Sequence, residues 1–123
     1  MKCSNAVLVL AASAVVLAAV PAAAHHSFAM FDSKKTMVLE GTVKNFSWSN
    51  PHIWIDLVVK NPKGKDVEWA IEGSSVNSLS RKGWKRSSLK SGDKAVITIN
   101  PLKDGTNGGS LIEVTVNGVK VGN

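Results

Sequence analysis

Cysteine is nearly missing from this chain. The one present, Cys3, falls in the first few residues, inside a stretch that reads as a removable leader. Without it the remaining protein has no thiolate ligand, no disulfide and no cysteine nucleophile, although an exported chain would meet an oxidising compartment. Tyrosine is absent and there are only three histidines. A Gly-x-Ser-x-Gly elbow and a glycine-rich phosphate loop are both lacking, which removes the commonest signatures of hydrolases and nucleotide-binding enzymes. Asp56, Asp66, Glu68 and Glu72 are spaced as solvated strand-face or strand-end carboxylates, not as a general acid and base. A catalytic function is therefore not the first expectation.

What is present begins with the leader. Lys2 supplies a short positive region, Ala6 to Val20 is almost unbroken apolar sequence, and Pro21 with three alanines follows. This is the layout of a secretory signal peptide over residues 1–24, and the apolar run is short for a membrane span. Cys3 sits too early for a lipoprotein cleavage site. Loss of the leader removes Lys2 and lowers the formal charge from +6 to +5, leaving roughly 99 residues, enough for one modest core. No transmembrane span is expected after cleavage. The cationic residues are scattered except for Arg81, Lys82, Lys85, Arg86 and Lys90 around Trp84. In an exported protein such a cluster points to a solvated face or an anionic surface and not to nucleic acid.

Residues 25–36 read as a polar N-terminal arm carrying Phe28, Met30 and Phe31, followed by a β domain over 37–123. Met37 to Trp48 is a long first strand in which Met37, Leu39, Gly41 and Val43 share a face. The apolar phase then slips to Phe46 and Trp48, which implies a bulge or bend at Gly41 or Asn45. His52 to Lys60 alternates cleanly, with Ile53, Ile55, Leu57 and Val59 on one face and His52, Trp54, Asp56 and Val58 on the other. "NPKGK" at 61–65 is a turn into a third strand, Val67, Trp69 and Ile71. Residues 72–83 form a short helix capped by Ser74 or Ser75 and ended by Gly83. A fourth strand runs to Ile99 and is ended by Pro101. "KDGTNGGS" at 103–110 is a glycine-rich loop, and Ile112, Val114 and Val116 mark a fifth strand. The order β-β-β-α-β-β with a long, bent first strand predicts an all-β, five-stranded OB-fold-like Greek-key barrel. Its expected core is Ile53, Ile55, Leu57, Val67, Trp69, Ile71, Ile97, Ile112, Val114 and Val116.

The histidines carry the chemistry. Cleavage after Ala24 satisfies the small-residue rule with Ala22 and Ala24 and makes His25 the first residue. Its free amine and ring nitrogen then chelate one ion, and a second imidazole completes the T-shaped copper site called a histidine brace. Cleavage after Ala22 puts His25 third, where amine, two amide nitrogens and imidazole form a square-planar site for Cu(II) or Ni(II). The α-amine titrates near ~7.7–8 and is a usable ligand at neutral pH. The third histidine, His52, begins the second strand on the non-core face, where a folded-back arm docked by Phe28 and Phe31 against Trp48 or Trp54 could meet it. Read without metal chemistry, the same residues are a polar N-terminus and a surface histidine.

The segments "AHHSFAMFD" (24–32), "EGTVKNFSWSNPHIWI" (40–55), "LSRKGWKRSSLKSGD" (79–93) and "NPLKDGTNGGSL" (100–111) together resemble a bacterial family of small exported proteins known only as a domain of unknown function. The likeness spans nearly all of residues 24–115. It implies an exported barrel whose characteristic residues include His25, His26, Asn50, Pro51 and His52, and it brings no activity. The leading expectation is a periplasmic or secreted metal-binding protein, for copper, with His25, His26 and His52 as ligands. The runner-up is a non-catalytic barrel that binds a ligand or a periplasmic protein through Trp54, Asp56, Trp84, Met30 or Asp32. A histidine-brace copper redox enzyme ranks third. Intact mass of the exported protein is expected to correspond to a chain starting at His25. A mass starting at Ala23 replaces the brace by the third-position chelate, and one retaining Met1 removes both.

Overall fold

Strand β1, Met37–Ser47, serves two neighbours in turn. A computed structural model describes residues 28–123; residues 1–27, and with them the leader, His25 and His26, lie outside the described residues. The first half of β1 pairs antiparallel with β4 (Lys94–Pro101), from Met37 opposite Ile99 to Thr42 opposite Lys94. The second half pairs antiparallel with β2 (Trp54–Lys60), from Thr42 opposite Val58 to Ser47 opposite Trp54. The hand-over falls at Thr42, and a register shift between Val43 and Asn45 follows at once. This is where the apolar phase slips from Leu39 and Val43 to Phe46 and Trp48; the expected bulge is there, with Lys44 as the extra residue next to the expected Asn45. Gly41 has a separate task. A Cβ there would collide with the backbone carbonyl oxygen of Val58, so the close crossing of β1 over β2 requires the missing side chain.

β3 (Asp66–Glu72) follows β2 through a turn in which Asn61 Oδ1 accepts from the N–H groups of Lys63 and Lys65, each at 2.9 Å, and Gly64 takes a positive φ of 75°. β5 (Gly108–Val116) pairs antiparallel with β4 and parallel with β3, matching Ala70 with Gly108, Ile71 with Gly109 and Glu72 with Ser110. That parallel pairing closes the order β3-β2-β1-β4-β5 into a five-stranded barrel. Helix α1 (Val76–Arg81) lies between β3 and β4 in the chain. Ser75 caps it, its side chain accepting from Ser78 N–H at 3.2 Å, and Leu79 enters the core.

The core is built as alternation requires. Ile53, Ile55, Leu57, Ile71, Ile97, Ile99 and Val114 are fully buried and Val43 and Leu39 nearly so, each burial worth about 1.5–3 kcal/mol. Val67, Trp69 and Val116 are half-buried at its margin. Ile112 does not belong to it and is 50% exposed. A register shift between Thr98 and Ile99 on β4 changes the phase of β5, and Leu111 packs against the core in its place. Several element bounds also differ from expectation, the helix among them: it covers Val76–Arg81 and not 72–83, with Glu72 in β3. β2 begins at Trp54, not His52; Gly108–Ser110 belong to β5, not to a loop; and a two-residue strand β6 (Val119–Lys120) folds back on β5. The last follows from Asn117-Gly118, whose φ values of 50° and 79° are both positive, as a type I′ hairpin demands.

Gly41→Ala is expected to lower unfolding free energy by about 1–3 kcal/mol, the range for forcing atoms into a filled site. Val38→Thr, at an exposed position on the same strand, should change it by under about 0.5 kcal/mol. Denaturant titration of the two variants checks both.

Candidate functional site at the start of the second strand

His52 follows the Asn50-Pro51 pair in the connection between β1 and β2, and three backbone features place it. Asn50 Oδ1 accepts from Val76 N–H at 3.1 Å, tying the connection to the start of α1. Ile53 N–H donates to Ser74 O and Gly73 N–H donates to Ile53 O, at 3.1 and 2.9 Å, extending the β2–β3 contact beyond the formal strands. His52 Nδ1 lies 2.9 Å from Gly73 O. A carbonyl oxygen only accepts, so Nδ1 carries the hydrogen, and the lone pair of the neutral ring sits on Nε2. This is the arrangement by which metal-binding histidines are oriented. The side chain is 24% exposed, so the ring is reachable from solvent.

Beside it is a residue that sequence reasoning placed in solvent. Glu72 is 2% exposed and is the one charged residue fully buried among the described residues. Its Oε1 is 3.7 Å from His52 Nδ1, too long for a strong hydrogen bond, and its Oε2 has no hydrogen-bond partner. The register sets Glu72 opposite Trp54 on β2 and opposite Ser110 on β5. Strand alternation therefore puts it on the outer phase, which is why the pattern reads it as solvated. The only available sequence signal is its place as the last residue of an alternating strand, directly before Gly73.

The arm reaches the same place. Phe28–Met30 form a 3-10 turn, and Phe31 is buried and bridges to Leu102. Asp32 N–H donates to Pro101 O at 2.8 Å, and Lys103 N–H donates to Met30 O at 3.0 Å. The Phe28 ring stands edge-on to the His52 ring, centroids 6.0 Å apart at 81°, and packs on Phe31 at 6.2 Å. The arm thus folds back to His52, as expected. Its aromatics meet His52 and Leu102, and not Trp48 or Trp54, because the backbone hydrogen bonds tie it to the end of β4.

The other candidates fall apart from one another. Trp54 is half-buried beside Glu72 in register. Asp56 faces Asn45 at the β1 bulge and accepts from its amide at 3.4 Å. Asp32 accepts from Lys34 N–H at 3.1 Å and lies 3.7 Å from Lys35, which makes it a turn residue. Met30 is exposed. Trp84 is 6% exposed, packs on Phe46 and belongs to the core cluster. The Gly83 turn, with φ of 84°, directs it inward and leaves its basic neighbours outside. Among the described residues, no three of His, Cys, Asp and Glu converge as a metal cluster, and no helix is long and apolar enough to cross a membrane.

A closed five-stranded barrel with a helix between β3 and β4 is the OB-fold arrangement. Two crystal forms of the mitochondrial single-stranded DNA-binding protein Rim1 from S. cerevisiae share it. One superposes with a TM-score of 0.51 at 10% identity and the other with 0.49 at 12%; each comparison covers 72% of this chain and 97% of that one. At those identities the likeness is one of fold alone. The chain itself belongs to the family of unknown function DUF6152, whose profile matches residues 12–111. No curated protein matches it.

Phe28→Ala removes an exposed ring whose contacts are His52 and Phe31. It should change global stability by under about 0.5 kcal/mol while clearly shifting the His52 ring protons in the NMR spectrum. Unmoved His52 resonances would show that the arm does not rest there in solution.

Proposed function

We propose that this is an exported, periplasmic copper-binding protein without catalytic activity, in which the N-terminal histidines and His52 hold one Cu(II). The observation that carries the reading is the Phe28 ring on the His52 ring, on the side of a histidine whose Nδ1 is already committed to Gly73 O. His25 and His26 precede Phe28 by three and two residues. Chain geometry keeps their Cα atoms within about 10 Å and 7 Å of that of Phe28. An arm anchored at Phe28 is short enough in sequence to bring them to His52, which supports the reading. Removal of the leader after Ala24 exposes the His25 amine, so amine, His25 imidazole and His52 imidazole supply three nitrogens, with His26 as the fourth ligand or a substitute. Nitrogen ligands of this kind suit Cu(II), the strongest binder of the divalent series, and no thiolate competes in the mature chain.

Calorimetric titration with Cu(II) of the mature protein, of His52→Ala and of a form extended by one glycine at the N-terminus tests the reading. His52→Ala should weaken binding by about tenfold or more, the scale of losing a ligand or its support. The extended form should lose tight binding because its amine is displaced. Equal, weak binding by all three would overturn the reading.

One observation favours a second reading, a non-catalytic barrel that docks on an anionic partner. Arg81, Lys82, Lys85, Arg86 and Lys90 are all exposed and make no salt bridge among the described residues, and residues 73–92 contain no Asp or Glu. Binding to vesicles containing anionic lipid that falls steeply between low and physiological salt supports it; binding indifferent to salt, or to Lys85→Glu with Arg86→Glu, removes it.

A further inference from the structure

From the end of α1 to the start of β4 the chain runs as an irregular ribbon with a regular inner pattern. Leu79, Trp84 and Leu89 recur at every fifth position, and all three are buried in the core. Each is a peg, and hydrogen bonds fix the spans between them. The N–H groups of Lys82 and Trp84 both donate to Leu79 O, at 2.9 and 3.0 Å. Ser88 N–H donates to Lys85 O at 2.9 Å, and Lys85 N–H donates to Ser88 Oγ at 2.8 Å. Two bonds tie the ribbon to the rest of the protein: Asn123 N–H to Lys82 O and Gly92 N–H to Val43 O, each at 2.8 Å.

What the pegs leave in solvent is positive. Arg81, Lys82, Lys85, Arg86 and Lys90 are exposed, and exposed Ser80, Ser87 and Ser91 stand among them. The carboxylate next in sequence, Asp93, accepts from the backbone N–H of Lys90 at 3.0 Å and forms no salt bridge with these side chains. Like charges held together repel one another, and an anionic partner relieves that repulsion. Because the backbone beneath them is already ordered, little further freedom is lost when the partner binds.

Resting on the second reading above, that of an anionic partner, we propose that residues 80–91 are a docking ribbon for an acidic polysaccharide, a chain with carboxylate or sulfate groups at intervals and hydroxyls between them. The pegs decide the class. A peripheral protein on a lipid surface adds buried apolar area to charge. A protein partner is held around an apolar or aromatic centre. A single-stranded nucleic acid stacks its bases on exposed aromatic rings. This ribbon turns both leucines and its one aromatic residue inward and offers only charge and hydrogen bonds. The arginines can take carboxylate or sulfate oxygens in pairs, and the serine hydroxyls can exchange hydrogen bonds with those of the sugar.

Calorimetric titration of the protein, with a chelator present, by a heparin oligosaccharide, an oligothymidylate and vesicles containing anionic lipid tests the proposal at matched anionic charge. Heparin should bind tightest. Lys85→Glu with Arg86→Glu should weaken it about tenfold or more and lower the salt dependence by about two, one for each cation removed. Lys63→Glu with Lys65→Glu makes the same change in net charge on the 61–65 turn, where neither exposed lysine forms a salt bridge. It should alter affinity by less than about twofold, since separated surface charges are screened. Should the first variant not fold, Lys85→Ala with Arg86→Ala is expected to act in the same direction. Equal weakening by the two charge reversals would mean that net charge alone binds, and overturns the proposal. Tighter binding of vesicles or oligothymidylate overturns the polysaccharide assignment and leaves the anionic-partner reading standing. Binding of none of the three removes that reading and the proposal with it.

Discussion

The parallel pairing of β3 with β5 is the contact on which the rest depends. Antiparallel neighbours come at little topological cost, because hairpins and short connections bring them together. β3 and β5 are distant in sequence and run the same way, and their few matched positions, Ala70 to Glu72 against Gly108 to Ser110, convert an open curved sheet into a barrel. The pairing is possible only because β1 bends at its bulge and carries β2 and β4 on opposite sides. Two adjacent glycines then let β5 come close. A side chain at Gly109 would run into Ile99 and the Asn100 carbonyl, and one at Gly108 into Leu102. Without that seam, Ile71 and Ile99 would have no common interior to share.

The same seam makes the candidate site. It brings the last residue of β3 between Trp54 on one side and Ser110 on the other, and the backbone beyond it wraps Ile53 and holds His52 by Gly73 O. A histidine and a carboxylate 20 residues apart in sequence thereby meet at one end of the barrel. The arm arrives there for an unrelated reason. Its hydrogen bonds to Pro101 and Lys103 belong to the end of β4, and the Phe28 ring reaches His52 because the end of β4 and the start of β2 lie at one end of the barrel, in line through Ser110 and Glu72. What closes the barrel thus also positions His52 and Glu72, and the arm joins them from the end of β4.

Local patterns served well wherever one periodicity governed a segment. The alternation of Ile53, Ile55 and Leu57 identified the core phase of β2, and the phase slip before Phe46 located the bulge to within a residue. Ser75 and Gly83 bracketed the helix. They failed where two partners competed for one strand. Ile112 has the right parity for the core, but the register shift opposite Thr98 hands that place to Leu111. The glycines 108 and 109 look like loop residues because a strand position without a side chain is uncommon, and only the crowding at the seam explains them. Trp84 looked available because it stands among five cations, yet those cations point outward while its ring fills the core.

The sequence by itself determined the strand order, the helix and most of the core, since each follows from spacing within a few residues. It also singled out His25, His26 and His52 as candidate nitrogen donors in a chain whose one cysteine is Cys3, which is a matter of composition. Only the tertiary structure decided that His52 is held at Nδ1, that Phe28 rests on its ring and that Glu72 is buried beside it. Those are contacts across the closed barrel and its end, between residues whose own neighbours in sequence say nothing about one another. Burial of Glu72 is the plainest case. Its parity marks it for solvent, and only the β3–β5 seam, which no local pattern encodes, withdraws it from water.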